Sequence, residues 1–365
     1  MANPNPFHYA VAVGINAYPG GYKPLSGPVN DARAFVDWLV DPEQGGLPAR
    51  NVELIITPKK TPAKPATAKP TKQLIDEALW EAHENLNQAI GAVPEEDQAA
   101  ARAASRLYFF VAGHGILPGD GEAALLDATA RPRFQPNIEL GSYVSWMAKN
   151  GAFAEVCAFA DCCRSYELLA TAGQPFFSAP PRVGGRVVTL LGFATSAGDL
   201  SFEEIGSAEE ADLRRGFFSK VLIEGLRGNA ADPKTGLVTT SGLRAYVGPV
   251  VATLTRDKPV PQHVELYSAD DMVFGPVRVS AAVGRPPGRT ARKVVINFPA
   301  DFGDSVELVA PDGARMTWEP VDGPWTVRLY DGEWYVQRPG SNQDSMGLVG
   351  DGLVSVAGED RVVDL

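Results

Sequence analysis

Strand-length apolar runs alternate with helix-length amphipathic stretches up to about residue 272, and that alternation confines the chain to folds in which helices cover a mostly parallel sheet. The runs Tyr9 to Ile15, Val52 to Ile56, Leu107 to Ala112, Val156 to Ala160 and 187–194 have the β-branched and aromatic content of buried strands. Between the first two, Val29, Ala32, Phe35, Val36 and Leu39 recur at helical spacing. Helices are predicted again over 72–90, 141–149, 217–226 and 240–256. A chain of 365 residues with 45% hydrophobic content has enough apolar surface for a full core and a second domain.

Beyond 275 the pattern changes to short alternating runs with Asp312-Gly313 and Asp331-Gly332, both hairpin signals. The Pro/Gly/Arg-rich segment Gly284 to Arg292 reads as a linker. The expected organisation is therefore an α/β domain over 1–275, a linker over 276–292 and a small β-sandwich or barrel over 293–365. Trp318, Trp325, Trp334 and Tyr335 are assigned there to core and cross-strand packing. Lys59 to Pro70 is a Lys/Pro-rich tract, expected to be an exposed, extended and mobile loop.

Two of the strand runs end in reactive boxes. Gly113-His114-Gly115 follows Leu107 to Ala112, and Asp161-Cys162-Cys163-Arg164-Ser165 follows Val156 to Ala160. Open α/β sheets bind ligands outside the carboxyl ends of their strands, so residues at two such ends share a crevice without being close in sequence. A thiol is nucleophilic only as the thiolate, and a neighbouring imidazole takes its proton. His114 and Cys163 are the candidate dyad, with the amides of Gly115 and Cys163 as a candidate oxyanion hole. The glycines beside His114 are read as permitting a sharp turn. Cys157 lies inside its strand and reads as core, while Cys162 stays open as an alternative nucleophile. His8, His83 and His263 read as structural. The cysteines have no second Cys/His cluster at ligand spacing, so no metal site is expected.

A net charge of −11 argues against a nucleic-acid or anionic-membrane partner and suits a cationic one. Three cysteines packed between Cys157 and Cys163 point to a reducing cytoplasm rather than a disulfide-stapled fold. The amino terminus lacks the features of a signal peptide, and no run approaches ~18 apolar residues, so no membrane span is expected.

Taken together, the boxes resemble the caspase-fold peptidases of the metacaspase and bacterial orthocaspase branch, peptidase family C14. The histidine and cysteine lie about 50 residues apart, as in caspases. Leu25 to Ala32 is similar to the Leu-x-Gly-Cys-x-Asn-Asp-Ala box of metacaspases. Phe193 to Glu204, Arg215 to Leu222 and Gly225 to Gly228 follow the order of the bacterial members. The resemblance implies a caspase-like three-layer α/β sandwich with a mostly parallel central sheet. It also implies a cysteine endopeptidase acting on a protein or peptide substrate, in which Asp31 and Asp161 line the primary pocket. Two carboxylates there imply cleavage after Arg or Lys, not after Asp.

Cys163-Arg164-Ser165-Tyr166 departs from the family's Cys-His-Ser-Gly, Pro28 stands where a cysteine is frequent, and Ala112 replaces a frequent serine. By the same resemblance Glu139 is a candidate third pocket acid. Lys59, Lys60, Arg214 and Arg215 are candidate self-cleavage sites, the last two expected to be exposed and mobile. No cofactor is required. Calcium activation is open, but Asp120, Glu122 and Asp127 show no ordered ligand spacing. A monomer is expected, with a setting in stress response, cell death or antiviral defence. A catalytically inactive caspase-like scaffold or binding protein, and a His/Cys peptidase of the gingipain, clostripain or CHAT type, remain the alternatives.

Overall fold

The computed structural model describes residues 5–60, 64–119, 121–178, 186–203, 214–232, 235–274, 291–298, 306–309, 315–318, 325–330, 332–338, 348–356 and 361–364. In chain order the first elements are β1 (His8–Gly14), α1 (Pro28–Val40), β2 (Val52–Ile56), α2 (Lys72–Gly91), α3 (Glu95–Ala103) and β3 (Arg106–Ala112). There follow β4 (Gly115–Pro118), β5 (Ala124–Leu126), β6 (Asn137–Glu139), α4 (Leu140–Asn150), β7 (Glu155–Asp161) and β8 (Tyr166–Glu167). Next come β9 (Val188–Phe193), α5 (Phe217–Glu224), β10 (Val238–Thr239), α6 (Thr240–Leu254), β11 (Glu265–Ser268) and β12 (Val273–Phe274). The chain divides into two compact units, Met1–Arg227 with Thr239–Pro276, and Gly228–Val238 with Val277–Leu365.

The first unit is a three-layer sandwich around a six-stranded sheet ordered β11-β9-β7-β3-β1-β2. All neighbours are parallel except β11, which runs antiparallel to β9. The central strands read as unbroken apolar runs because both faces are covered: β3 is buried at every position. Val11, Val13, Phe109 and Val111 face one core with Ile75 and Leu79 of α2 and with Tyr143 and Val144 of α4. On the opposite face Phe35 of α1 stacks on Phe110 at 4.8 Å, and Trp38 meets Tyr108 edge-on at 5.8 Å. Each such fully buried aromatic contributes roughly 1.5–3 kcal/mol. The Trp38 indole donates to Leu226 O, fastening α1 to the segment after α5.

This sheet sets the site. β1 has β2 on one side and β3 on the other, so the chain reverses its direction of travel across the sheet there, which is where open sheets leave a crevice. Register then aligns the strand ends: Gly14 pairs with Ala112, and Ala112 with Asp161. The boxes after β3 and β7 consequently leave the sheet side by side.

A second sheet, β6-β5-β4-β8, was not anticipated, because strands of two to four residues carry no periodic signal. It joins the chain after His114 to the chain after Cys163 through Leu117 and Tyr166. Helix α3 was missed for a different reason: it buries only Ala101 and has no apolar stripe. Helix α5 stops at Glu224, two residues short of expectation. A wider turn follows over Gly225–Asn229, and Gly228 adopts φ 115° there, which favours glycine. The Lys/Pro tract is only partly as expected. Lys59, Lys60, Lys64 and Lys69 are exposed, but Pro65–Thr67 forms a 3₁₀ turn and Ala68 and Pro70 are buried.

The second unit contains β13 (Ala291–Asn297), β14 (Val306–Val309), β15 (Arg315–Trp318), β16 (Trp325–Tyr330), β17 (Gly332–Gln337), β18 (Leu348–Val356) and β19 (Arg361–Asp364). These strands form sheets β16-β13-β19 and β15-β14-β17-β18, with one apolar cluster drawn from both, including Val294, Val327, Leu308, Trp334 and Val354. Trp334 is core as expected. The side chains of Trp318 and Trp325 lie outside the described residues, as do Asp312-Gly313 and nearly all of the linker. The hairpin expected at Asp331-Gly332 is corrected: β16 and β17 belong to different sheets and do not pair with each other, while Asp331 itself lies outside the described residues.

Candidate active site

His114 follows β3 directly. Its backbone N–H donates to the Tyr18 hydroxyl at 2.9 Å, and that hydroxyl donates to Leu126 O at 3.2 Å. The imidazole lies between two rings, with centroids 4.9 Å from Tyr18 and 5.5 Å from Tyr22. Its Nε2 is 2.7 Å from the carbonyl oxygen of Lys23. A carbonyl only accepts, so Nε2 carries the proton and Nδ1 is the basic nitrogen. Neither Tyr18 nor Lys23 was singled out from sequence. Both come from the loop after β1, which only the topology brings to β3.

The flanking glycines serve close approach more than turning. A Cβ on Gly113 would lie 2.4 Å from the Tyr18 hydroxyl, and one on Gly115 would lie 2.4 Å from Cys162 Sγ and 2.6 Å from Cys163 O. The start of β4 thus passes directly over the Cys162-Cys163 peptide.

Cys163 is half-buried. Its sulfur lies 3.4 Å from Ser201 N and 3.7 Å from Ser201 O. Burial pushes the thiol up, the Ser201 N–H opposes this, and Asp161 and Glu203 add to the rise, so the resting group is a neutral thiol. Cys162 points the other way, into the main core, and burial raises it strongly, so it is not placed to attack a ligand in the crevice. Cys157 is core, its sulfur 3.4 Å from Met272 Sδ and its thiol pushed by burial up to about 12.

Asp31 and Asp161 are both buried and lie beside Gly216, whose added Cβ would be 2.1 Å from Asp161 Oδ2 and 3.2 Å from Asp31 Oδ2. Asp31 accepts from Arg215 Nε and from Gly216 N at 2.9 Å. Burial raises its carboxyl to about 8, with Asp161 adding to the rise and Arg215 opposing it. Asp161 accepts from Ser201 Oγ at 2.7 Å, Ser219 Oγ at 2.6 Å and Ser219 N at 3.1 Å, and burial raises it as well. The two acids therefore also fasten the amino-terminal end of α5.

His114, Cys163, Asp31 and Asp161 line one cavity of about 160 Å³, together with Leu25, Pro28, Gly113, Ser201, Phe202, Glu203 and Gly216. Glu203 went unrecognised in the sequence. Glu139, guessed as the third acid, is elsewhere: it caps α4, accepting from Gly141 N at 2.9 Å and Ser142 N at 2.7 Å.

The remaining candidates separate. Lys59 and Lys60 are exposed after β2, whereas Arg214 and Arg215 are half-buried, against expectation. Arg214 O accepts from Asn30 at 2.9 Å and Arg215 is engaged by Asp31, so this stretch is held against α1. Of the calcium candidates, Asp120 lies outside the described residues, Glu122 pairs with Arg164, and Asp127 accepts from Lys72 N at the start of α2. Among the described residues no group of three or more His, Cys, Asp or Glu could hold a metal ion, and no helix is long and apolar enough to cross a membrane.

A half-buried thiol and an imidazole at the carboxyl ends of adjacent parallel strands, within a three-layer sandwich, define a caspase-like α/β protein. The caspase-domain model of the C14 peptidases matches residues 8–264, and the chain belongs to that family. It is 26% identical over 239 residues to a probable protease from a Desulfuromonadales bacterium, an alignment covering 60% of this chain and 26% of that protein. Among solved structures it is similar to caspase-1 from Spodoptera frugiperda (TM-score 0.45, 15% identity, 75% of this chain and 92% of that one). It is also similar to a protein from Geobacter sulfurreducens (TM-score 0.41, 16% identity, 72% and 94%).

Proposed function

We propose that this chain is a cysteine endopeptidase that cleaves proteins after Arg or Lys with a His114/Cys163 dyad. The observation that carries the reading is the single cavity lined by a thiol, an imidazole with a fixed tautomer and several carboxyl groups. His114 Nδ1 takes the Cys163 proton as the sulfur attacks the scissile carbonyl carbon. The amides of Gly115 and Cys163 stabilise the oxyanion, and His114 returns the proton to the leaving amine as the C–N bond breaks. Water then hydrolyses the thioester, releasing the acid and restoring the thiol. Asp31 and Asp161 line the pocket for the basic side chain.

The catalytic cycle requires no cofactor. The partner is a protein or peptide with a basic residue at the cut, and the enzyme acts as a cytoplasmic monomer. Self-processing at Lys59 or Lys60 fits their exposure better than processing at Arg214 or Arg215. Fluorogenic peptides ending in Arg, Lys or Asp, assayed with and without calcium and with Cys163→Ala as blank, test the reading. Preference for Asp, or undiminished hydrolysis by the alanine variant, overturns it. Intact masses of wild type and Cys163→Ala read self-cleavage in the same preparation.

A further inference from the structure

We propose that Tyr18 is a positioning residue for His114, its hydroxyl inserted into the β4–β5 ladder so that the histidine is held off β5, an inference that rests on the peptidase reading above. Strands β4 and β5 are antiparallel, with Ile116 opposite Ala124 and Gly115 opposite Leu125. One step further, the same register sets His114 opposite Leu126. Residues in a hydrogen-bonded antiparallel pair exchange two N–H···O bonds, and only one is made directly here: Leu126 N donates to His114 O at 2.8 Å. In place of the other stands the Tyr18 hydroxyl, which accepts from His114 N at 2.9 Å and donates to Leu126 O at 3.2 Å. It bridges the two strands as an ordered water would, but from a side chain that cannot leave.

The surroundings are built for that insertion. Tyr18 is buried, and Gly113 leaves room for its hydroxyl, since a Cβ there would lie 2.4 Å away. The ring of Tyr18 also meets the imidazole edge-on at 4.9 Å, so one side chain touches both the backbone and the ring of His114. Gly113 N donates to Asp161 O at 3.2 Å, which fixes the preceding residue to β7. His114 is thereby set between the strand that leads to Cys163 and the hydroxyl that keeps it from β5. Without the hydroxyl, His114 N and Leu126 O lose their partners, and buried polar groups seek replacements. Each is the other's natural one. A direct bond would close the ladder by one more pair and draw the His114 backbone toward β5, while Lys23 stays on its own loop. The contact that holds Nε2 would then be released.

The test compares the full chain as wild type and Tyr18→Phe, on an arginine fluorogenic peptide and by ¹⁵N NMR after histidine labelling. Tyr18→Phe is expected to lower kcat by about tenfold or more, as a misplaced catalytic group does, with KM within about twofold because no substrate contact is lost. The neutral His114 ring is expected to change from one tautomer, protonated at Nε2, to a mixture of both. A variant that melts earlier but keeps the wild-type kcat and tautomer overturns the proposal, since Tyr18 then serves packing alone. A wild type that cleaves no peptide overturns the peptidase reading, while the tautomer still decides whether Tyr18 places the ring. If Tyr18→Phe lacks a cooperative thermal transition, wild type alone decides. Its Tyr18 hydroxyl proton is expected to exchange slowly with water and to show a nuclear Overhauser contact with the His114 amide. Absence of that contact overturns the insertion.

Discussion

Nε2 of His114 lies 2.7 Å from the carbonyl oxygen of Lys23, and this one contact decides which ring nitrogen carries the proton. With Nε2 protonated, Nδ1 is the ring nitrogen that can accept a proton, as the proposed dyad requires. ¹⁵N NMR of histidine-labelled protein is expected to show the neutral His114 ring protonated at Nε2, and His114→Gln is expected to lower kcat by about 10²–10⁴. A ring protonated at Nδ1 would contradict the assignment.

The resting sulfur gives a second expectation. Burial, with Asp161 and Glu203 nearby, raises the Cys163 thiol, so little thiolate exists near neutral pH in the free protein. Iodoacetamide is expected to label Cys163 slowly at pH 7 and faster as pH rises, with a midpoint above that of a free cysteine. Cys157 and Cys162, buried in the folded protein, stay unlabelled. Peptide mapping by mass spectrometry distinguishes the three, and fast labelling of Cys163 at pH 6 would show that the thiol is already ionised.

The strand ends were legible in sequence because β3 and β7 are covered on both faces, which writes them as continuous apolar runs with polar boxes behind them. Tyr18 and Lys23 were not legible. They act through one hydroxyl and one backbone carbonyl, from a loop with no pattern of its own, and their nearness to His114 depends on β1 lying between β2 and β3. Glu139 misled for a related reason, since an acid just before a helix serves equally as a cap. Asp161 ends its strand, whereas Glu203 lies well beyond the end of β9, at a distance that sequence spacing does not encode. Arg215 looked like an exposed cleavage site because the acid that holds it, Asp31, is remote in sequence.

Asp31 makes stability depend on pH. Burial raises its carboxyl from 3.8 to about 8 in the folded protein, while the unfolded chain titrates near the lower value. Between those limits the folded state keeps a proton that the unfolded state releases. The associated stability is therefore fully present below the lower value and is lost as pH rises through the upper one. The thermal midpoint of wild type is expected to fall across this window, and Asp31→Asn to flatten the slope. Parallel slopes for the two proteins, measured by calorimetry in matched buffers, would remove Asp31 as the cause.

Arg164 is a buttress for the loop that carries Cys163. Its side chain is 3% exposed and pairs with both Glu122 and Glu265. It also donates to Thr195 O at 3.1 Å and lies over the Phe193 ring at 4.5 Å. Its backbone binds the neighbouring loop in both directions, donating to Asp199 O at 3.0 Å and accepting from Gly198 N at 2.8 Å. That loop leads to Ser201, which contacts Cys163. Removing the guanidinium leaves the Glu265 carboxylate beside an apolar gap, and breaking such a pair costs about 3–5 kcal/mol when both partners are buried. Glu265 is 25% exposed, so Arg164→Met is expected at the lower end of that range, about 3 kcal/mol by urea unfolding, with hydrolysis falling alongside. Arg164→Lys recovers little, because an ammonium cannot span two carboxylates and a carbonyl at once. Adding Glu265→Gln to Arg164→Met is expected to restore part of the stability, since no carboxylate is then stranded there. Equal stability of Arg164→Met and wild type would show that the loop is held by its backbone contacts alone.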